Sequence, residues 1–244
     1  MANVNRKWRK FVAIGCTHGA LIHKRAEKAA LAFIDDYKPE TRVHGGDWTD
    51  QTAWRSGAAG TPDETANIEL DLRAGIRFVE SMRATHLLNG NHDRRIYKNL
   101  ASPNAIVAHA AGCILNEMRS MVNRLGCGWI ETYDIRKSHF LLGNTRVCHG
   151  WMYGLAATRQ HADALGNVIF FHTHRLNQEH GRRLDRPLGT NGGYLADEDK
   201  LEYSHGRVAT LAHQHGLVFG EYSDTECKTW IAKIENGKVS LPPR

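Results

Sequence analysis

Five times along this chain a short strand-like segment ends abruptly in a cluster of metal-competent side chains, most of them beside glycine. KFVAIG runs into Cys16-Thr17-His18-Gly19, and TRVH into Gly45-Gly46-Asp47-Trp48-Thr49-Asp50. HLLN meets Gly90-Asn91-His92-Asp93; later come Cys148-His149-Gly150 and Phe171-His172-Thr173-His174. In open α/β sheets ligands gather beyond the carboxyl ends of strands. Glycine there lets the backbone turn sharply or approach closely. The first three clusters are therefore expected to converge on one site, with the last two joining them. His172 and His174, two residues apart on an extended segment, point the same way. Taken singly the pieces are weak: Asp47 after two glycines also suits a turn, and Asn91 or Asp93 a turn or a helix N-cap.

The segments between these clusters supply the architecture. Ala26, Ala29, Ala30, Phe33 and Ile34 predict a helix over about 23–37, with Pro39 at its exit. Pro62-Asp63 opens a helix reaching about Arg83, with Ile68, Leu72, Ile76 and Val79 on one face. Residues 105–123 and about 155–165 also read as helical. Strands are expected at 128–148 (two or three), 167–171, 216–222 and 228–241, the last with an Asn236-Gly237 turn. Strand and helix alternate in the first half, and the second half leans to strands. That pattern predicts an α/β fold with a mixed sheet, or two sheets, packed between helices. The polar, glycine-rich stretch 176–206 has no clear period and reads as an irregular functional loop inserted in a single domain spanning 1–244.

Composition narrows the class. No apolar run approaches the roughly 18–20 residues of a membrane-spanning helix, and FVAIGC is too short for a signal-peptide core. Five cysteines, an odd number without CxxC spacing, argue against a disulfide framework or a structural zinc finger and for a reducing cytoplasm. The net charge of +6 favours an anionic ligand. Fifteen histidines, the commonest metal ligands, make their positions informative.

The ordered set C-T-H (16–18), G-D-W-T-D (46–50), G-N-H-D (90–93), His149 and F-H-T-H (171–174) resembles the calcineurin-like metallophosphoesterases. Their pattern is D-x-H, G-D-x-x-D, G-N-H-D/E, a later His and G-H-x-H. The match spans residues 10 to about 175, and the compact length is similar to phage and bacterial members. Two positions depart: Cys16 stands where the family has Asp, and Phe171 where it usually has Gly. The resemblance implies two β-sheets packed face to face between helical layers, an αββα sandwich, with two divalent or transition metal ions (Mn, Fe or Zn) at the strand ends. One metal would take Cys16, His18, Asp47 and His174; the other would take Asp47, Asn91, His149 and His172, bridged by Asp47. His92 would protonate or stabilise the leaving oxygen, with Asp93 holding its imidazole.

The chemistry of these residue types agrees. Two cations about 3.5–4 Å apart make an attacking hydroxide at neutral pH and neutralise phosphoryl oxygens. Arg94 and Arg175 adjoin the motifs and are expected to hold phosphate oxygens. The tryptophans before residue 155, Trp48 foremost, offer either a base-stacking platform or core. Cys16 reads either as a thiolate ligand, favouring zinc or iron, or as a small buried hydrophobe. The expected activity is hydrolysis of a phosphate ester, with a phosphodiester of nucleotides or nucleic acid leading. The alternatives are a phosphomonoesterase and a non-catalytic binding module that lost one metal through Cys16.

Overall fold

The structure, a computed structural model, describes residues 7–201 and 208–241. Its first sheet is built around β1 (Arg9–Ile14), β2 (Thr41–His44), β3 (His86–Leu88) and β4 (Gly128–Ile130), parallel neighbours in that order. On the other side of β1 the sheet continues antiparallel through three C-terminal strands. A second sheet has five strands: β5 (Phe140–Leu142), β6 (Thr145–Val147), β7 (Val168–Phe170), β8 (Leu176–His180) and β9 (Leu188–Gly192). They are ordered β5-β6-β7-β9-β8, with β6, β7 and β9 parallel. The C-terminal strands of the first sheet are β10 (Gly216–Tyr222), β11 (Cys227–Glu235) and β12 (Lys238–Ser240).

β1 shows why the sheets stack. Phe11 and Ala13 enter the core between the sheets, with Val43, Leu88, Val147, Ile169 and Val218. Val12 and Ile14 face the opposite way, onto helical residues such as Ala30, Ile34, Leu72, Phe78 and Met118. A strand buried on both faces reads as a continuous apolar run rather than an alternation. The helices on that side are α1 (Lys24–Tyr37), α2 (Ile68–Ser81), α3 (Arg94–Leu100) and α4 (Ala105–Leu125). The outer face of the second sheet is covered by α5 (Ala157–Leu165), packed on β7, β8 and β9. The result is the αββα sandwich. No helix among the described residues is long and apolar enough to cross a membrane.

Three readings of the sequence need correction. The helix expected from Pro62 begins at Ile68, because Pro62–Thr65 forms a separate 3-10 turn and Asn67 caps α2 by accepting the N–H of Leu70 at 2.9 Å. α3, directly after the GNHD segment, was not expected as a helix. The stretch 176–206 is not an irregular loop: it holds the antiparallel β8–β9 pair, while residues 202–206 lie outside the described ones. β8 is a polar edge strand, and β9 (LGTNG) has glycines where neighbours press on its backbone, so neither carries the usual strand composition.

Candidate metal centre

The carboxyl ends of β1, β2 and β3 in one sheet, and of β6 and β7 in the other, meet at one place. Backbone bonds lace the emerging loops together. The N–H groups of Cys16 and His18 donate to the carbonyls of Gly46 and Asp47, each at 2.9 Å. Those of Phe171 and His172 donate to His149 O at 2.9 and 3.0 Å. Cys16, His18, Asp47 and His174 all adopt left-handed φ values between 51° and 58°. Such backbone is uncommon for side chains with a Cβ and gathers where function requires it. Nothing in the sequence signals this strain.

The side chains converge. His18 Nε2 lies 3.2 Å from His174 Nε2, and the ligand atoms of these two and Cys16 fall within 4.8 Å of one another. Cys16, Asp47 and His149 form a second such group. His149 Nε2 stands 2.9 Å from Asn91 Oδ1, 3.1 Å from Asp47 Oδ2 and 3.3 Å from His172 Nδ1. Tautomers explain what this means. His149 Nδ1 faces Gly45 O at 3.1 Å and donates to it, and His18 Nδ1 donates to Asp50 Oδ1 at 2.7 Å. Each imidazole therefore turns a lone pair inward, towards carboxylate, amide and imidazole acceptors. Two inward imidazole lone pairs buried beside a carboxylate and an amide oxygen fit a cation.

Electrostatics divide the imidazoles: burial opposes a charge on His18, but the hydrogen bond and charge of Asp50, with Asp47, raise it above its ordinary value. Burial and the neighbouring His149 push His172 down to about 3, and burial with His18 holds His174 well below its ordinary value. Both imidazoles are therefore neutral at physiological pH. Burial opposes the charge of Asp47, yet the imidazoles of His149 and His92 hold it ionised far below the usual range. Burial, with the charges of Asp47 and Asp93, pushes the Cys16 thiol well above its ordinary value. A thiolate at that position thus requires a cation beside it.

Asp93 does not hold the His92 ring. Its carboxylate instead accepts the N–H groups of Asp47 (2.7 Å), Gly90 (2.8 Å) and Thr49 (3.0 Å) and the Thr49 hydroxyl (2.9 Å), tying the β2 and β3 loops together. At the start of α3 the side chain is turned back into this nest. The residue that holds His92 is Asp50, whose Oδ1 accepts both His92 Nδ1 and His18 Nδ1 at 2.7 Å. Asp50 was present in the G-D-x-x-D spacing, but a spacing does not reveal which ring a carboxylate reaches. Also missed was His161 on α5, whose Nε2 accepts the Trp151 N–H at 3.0 Å and steadies the turn after His149. Arg94 is exposed on the first turn of α3, and Arg175 donates from Nη1 to Gly154 O at 2.6 Å. Trp48 is no platform: it is fully buried in the helix-side core.

No protein-family model matches this sequence, and no curated protein matches it. Among solved structures the chain is similar to a metallophosphoesterase from Sphaerobacter thermophilus, at 14% identity and a TM-score of 0.49, covering 94% of this chain and 89% of that one. It is similar to wild-type Vps29 complexed with Zn2+ from Entamoeba histolytica (13% identity, TM-score 0.46, 96% and 97% covered). Another is Yfce, a phosphoesterase from E. coli (13%, 0.42, 94% and 96%). By its ordered motifs, the chain resembles the calcineurin-like metallophosphoesterases.

Of the two departures from that family's pattern, Phe171 has a clear structural account. Its ring is fully buried between the sheets. Gly15, Gly45 and Gly192 lie against it so closely that a Cβ on any of them would fall 2.1–2.5 Å from a ring carbon. Cys16 is buried in the same inter-sheet core, yet its sulfur also belongs to both ligand groups.

Proposed function

We propose that this chain is a metal-dependent phosphoesterase whose substrates are phosphodiesters of nucleotides or nucleic acid. The observation that carries the proposal is the buried convergence of inward-facing acceptors at the strand ends, with His92 beside them. Cys16, His18, Asp47 and His174 would hold one cation, and Asp47, Asn91, His149 and His172 the other. When bound, such a pair lowers the proton affinity of water and offsets phosphoryl charge. Asp47 Oδ1 accepts the His92 backbone N–H at 2.8 Å, which steadies the carboxylate that both positions would share.

His92 stands at the edge of this group. Its Nδ1 proton is committed to Asp50, and Nε2 lies 3.9 Å from Asp47 Oδ2. The side chain is 9% exposed, so Nε2 can meet a substrate oxygen. We assign the delivery of a proton from Nε2 to the leaving oxygen to the doubly protonated ring, a form that burial disfavours and the charges of Asp47 and Asp50 favour, with Asp50 also orienting it. Arg94 and Arg175 would take outer phosphate oxygens; the buried Nε of Arg175 has no partner among the described residues. The diester preference draws on the loop after His149. Trp151 stacks on Tyr133 at 5.6 Å, and Tyr153 is 81% exposed, so aromatic faces are available to a base.

The test is turnover of bis(nitrophenyl) phosphate, nitrophenyl phosphate and a short oligonucleotide by chelated protein re-loaded with Mn, Fe or Zn. Diester hydrolysis that chelation abolishes and metal restores is expected. Monoester turnover alone would replace the diester reading, and no turnover of any of them between about pH 5 and 9 would end the enzyme reading. His92→Ala should keep its metals and lose about 10²–10⁴ in rate, less for a nitrophenolate leaving group.

A further inference from the structure

At the amino ends of β6 and β7, opposite the metal centre, lies a cavity of about 790 Å³. Residues from several segments line it: the connection before β5, the β5–β6 turn, β6, the end of α5 with its link to β7, and the β8–β9 connection. Arg136, Arg146 and Arg183 enter its wall, with Asp185 the sole carboxylate among the lining residues. Arg183 and Asp185 already pair with each other, at 3.1 and 2.8 Å. Arg136 and Arg146 have no ion-pair partner among the described residues. Arg146 Nη1 donates to Leu165 O at 2.5 Å, which pins the guanidinium at the cavity wall with its other donors unengaged among the described residues. His139, also in the wall, has a buried Nδ1 without a partner among the described residues.

Guanidinium groups favour phosphate, which accepts from their planar forks, and that of Arg146 is already held in place. The volume falls within the range of about 300–1,000 Å³ typical of small-molecule sites. It exceeds what an orthophosphate alone would fill. Residues 164–166 at the α5 terminus and the amide side chains Asn144 and Asn167 complete the wall, which suits hydroxyl or amino groups. We propose that this cavity binds a small phosphorylated molecule of nucleotide or sugar-phosphate size, its phosphate between Arg136 and Arg146. From Asn167 to His172 the chain runs five residues, about 16 Å at strand rise. One phosphate cannot span both places, so this is a second site. It stands whether or not the metal centre is catalytic.

Calorimetric titration of the full chain, kept in chelator, tests it with adenosine monophosphate, glucose 6-phosphate, inorganic phosphate and adenosine. Saturable binding of one of the two phosphorylated compounds is expected, tighter than that of inorganic phosphate or adenosine; which of the two binds identifies the carrier. Arg136→Ala should weaken it about 10- to 100-fold, the worth of a charge-assisted hydrogen bond, and Arg136→Lys should restore part. Binding should persist in Asp47→Ala. The proposal is overturned if neither compound binds, if inorganic phosphate or adenosine binds as tightly, if Arg136→Ala binds like wild type with an unchanged melting curve, or if Asp47→Ala removes binding.

Discussion

The proposed ligand assignment sets Cys16, His18 and His174 on one side of Asp47 and Asn91, His149 and His172 on the other. The first side takes all its side chains from left-handed backbone, whereas none of the second three has positive φ. The proposed assignment gives the sulfur to the first side, although the Cys16 sulfur also lies within 4.8 Å of the ligand atoms of Asp47 and His149. Support differs as well. His149 is fixed by a carbonyl of the sheet-end loop, while His18 depends on the Asp50 carboxylate. The His174 ring lies flat against Tyr194, 4.8 Å away and 5° from parallel. The side that departs from the family pattern is thus also the strained side. It relies most on neighbours to hold its geometry, and it is where metal identity and affinity should be easiest to change.

Removing Asp47 should erase the comparison altogether. Asp47→Ala is expected to lose both metals together and to reduce turnover to that of chelated protein; elemental analysis showing two retained metals would refute the shared role. Asp50→Asn should act on one side only. Loss of an orienting carboxylate typically costs 10–100-fold in metal affinity, and here it should fall on the His18 position while the His149 position keeps its metal. Equal weakening at both positions would show that the sides are not separable. Cys16→Asp replaces a soft ligand with a hard one, so metal competition should shift from zinc or iron towards manganese or magnesium, with activity kept. An unmoved preference would remove Cys16 from the ligands.

The smallest effect concerns the support beneath the strained side. Asp71 on α2 accepts the N–H groups of Ala20 (3.1 Å), Asp50 and Gln51 (both 2.9 Å). Burial and the charge of Asp50 push its carboxyl from 3.8 up to about 7. A raised carboxyl favours the protonated form in the folded state. Its contribution is therefore complete below the ordinary value and lost as pH rises from about 4 through 7. At roughly 1.4 kcal/mol per unit the slope amounts to a few kcal/mol at most. Urea melts of chelated protein should show this slope in wild type and not in Asp71→Asn; parallel slopes would show that Asp71 does not titrate across this window.

Much of this was legible in the sequence because strand-end clusters announce themselves. β2 (Thr41–His44) and β10 (Gly216–Tyr222) fall where the apolar pattern places them. The pattern also names the seven side chains that the structure gathers. It could not show which carboxylate faces His92, because Asp50 and Asp93 lie on two loops whose relative placement exists only after β2 and β3 pair. Strain at Cys16 and His174 was invisible for the same reason: it belongs to the assembled loops. β8 and β9 escaped because an edge strand need not be apolar, and a strand pressed under an aromatic ring needs glycine.

Phe171 has a consequence for how this chain can change over generations. Its ring and the three glycines around it form a set whose members constrain the order of replacement. Giving Gly15, Gly45 or Gly192 a side chain first produces a clash with the ring. Trimming Phe171 first opens a hole that costs about 3–5 kcal/mol, as large-to-small aromatic changes in cores do. Only after Phe171 is trimmed can Gly15 and Gly45 accept a side chain without that clash. A route from this sequence to one with glycine at 171 therefore runs through a weakened ancestor, and a lineage lacking surplus stability is confined to the phenylalanine.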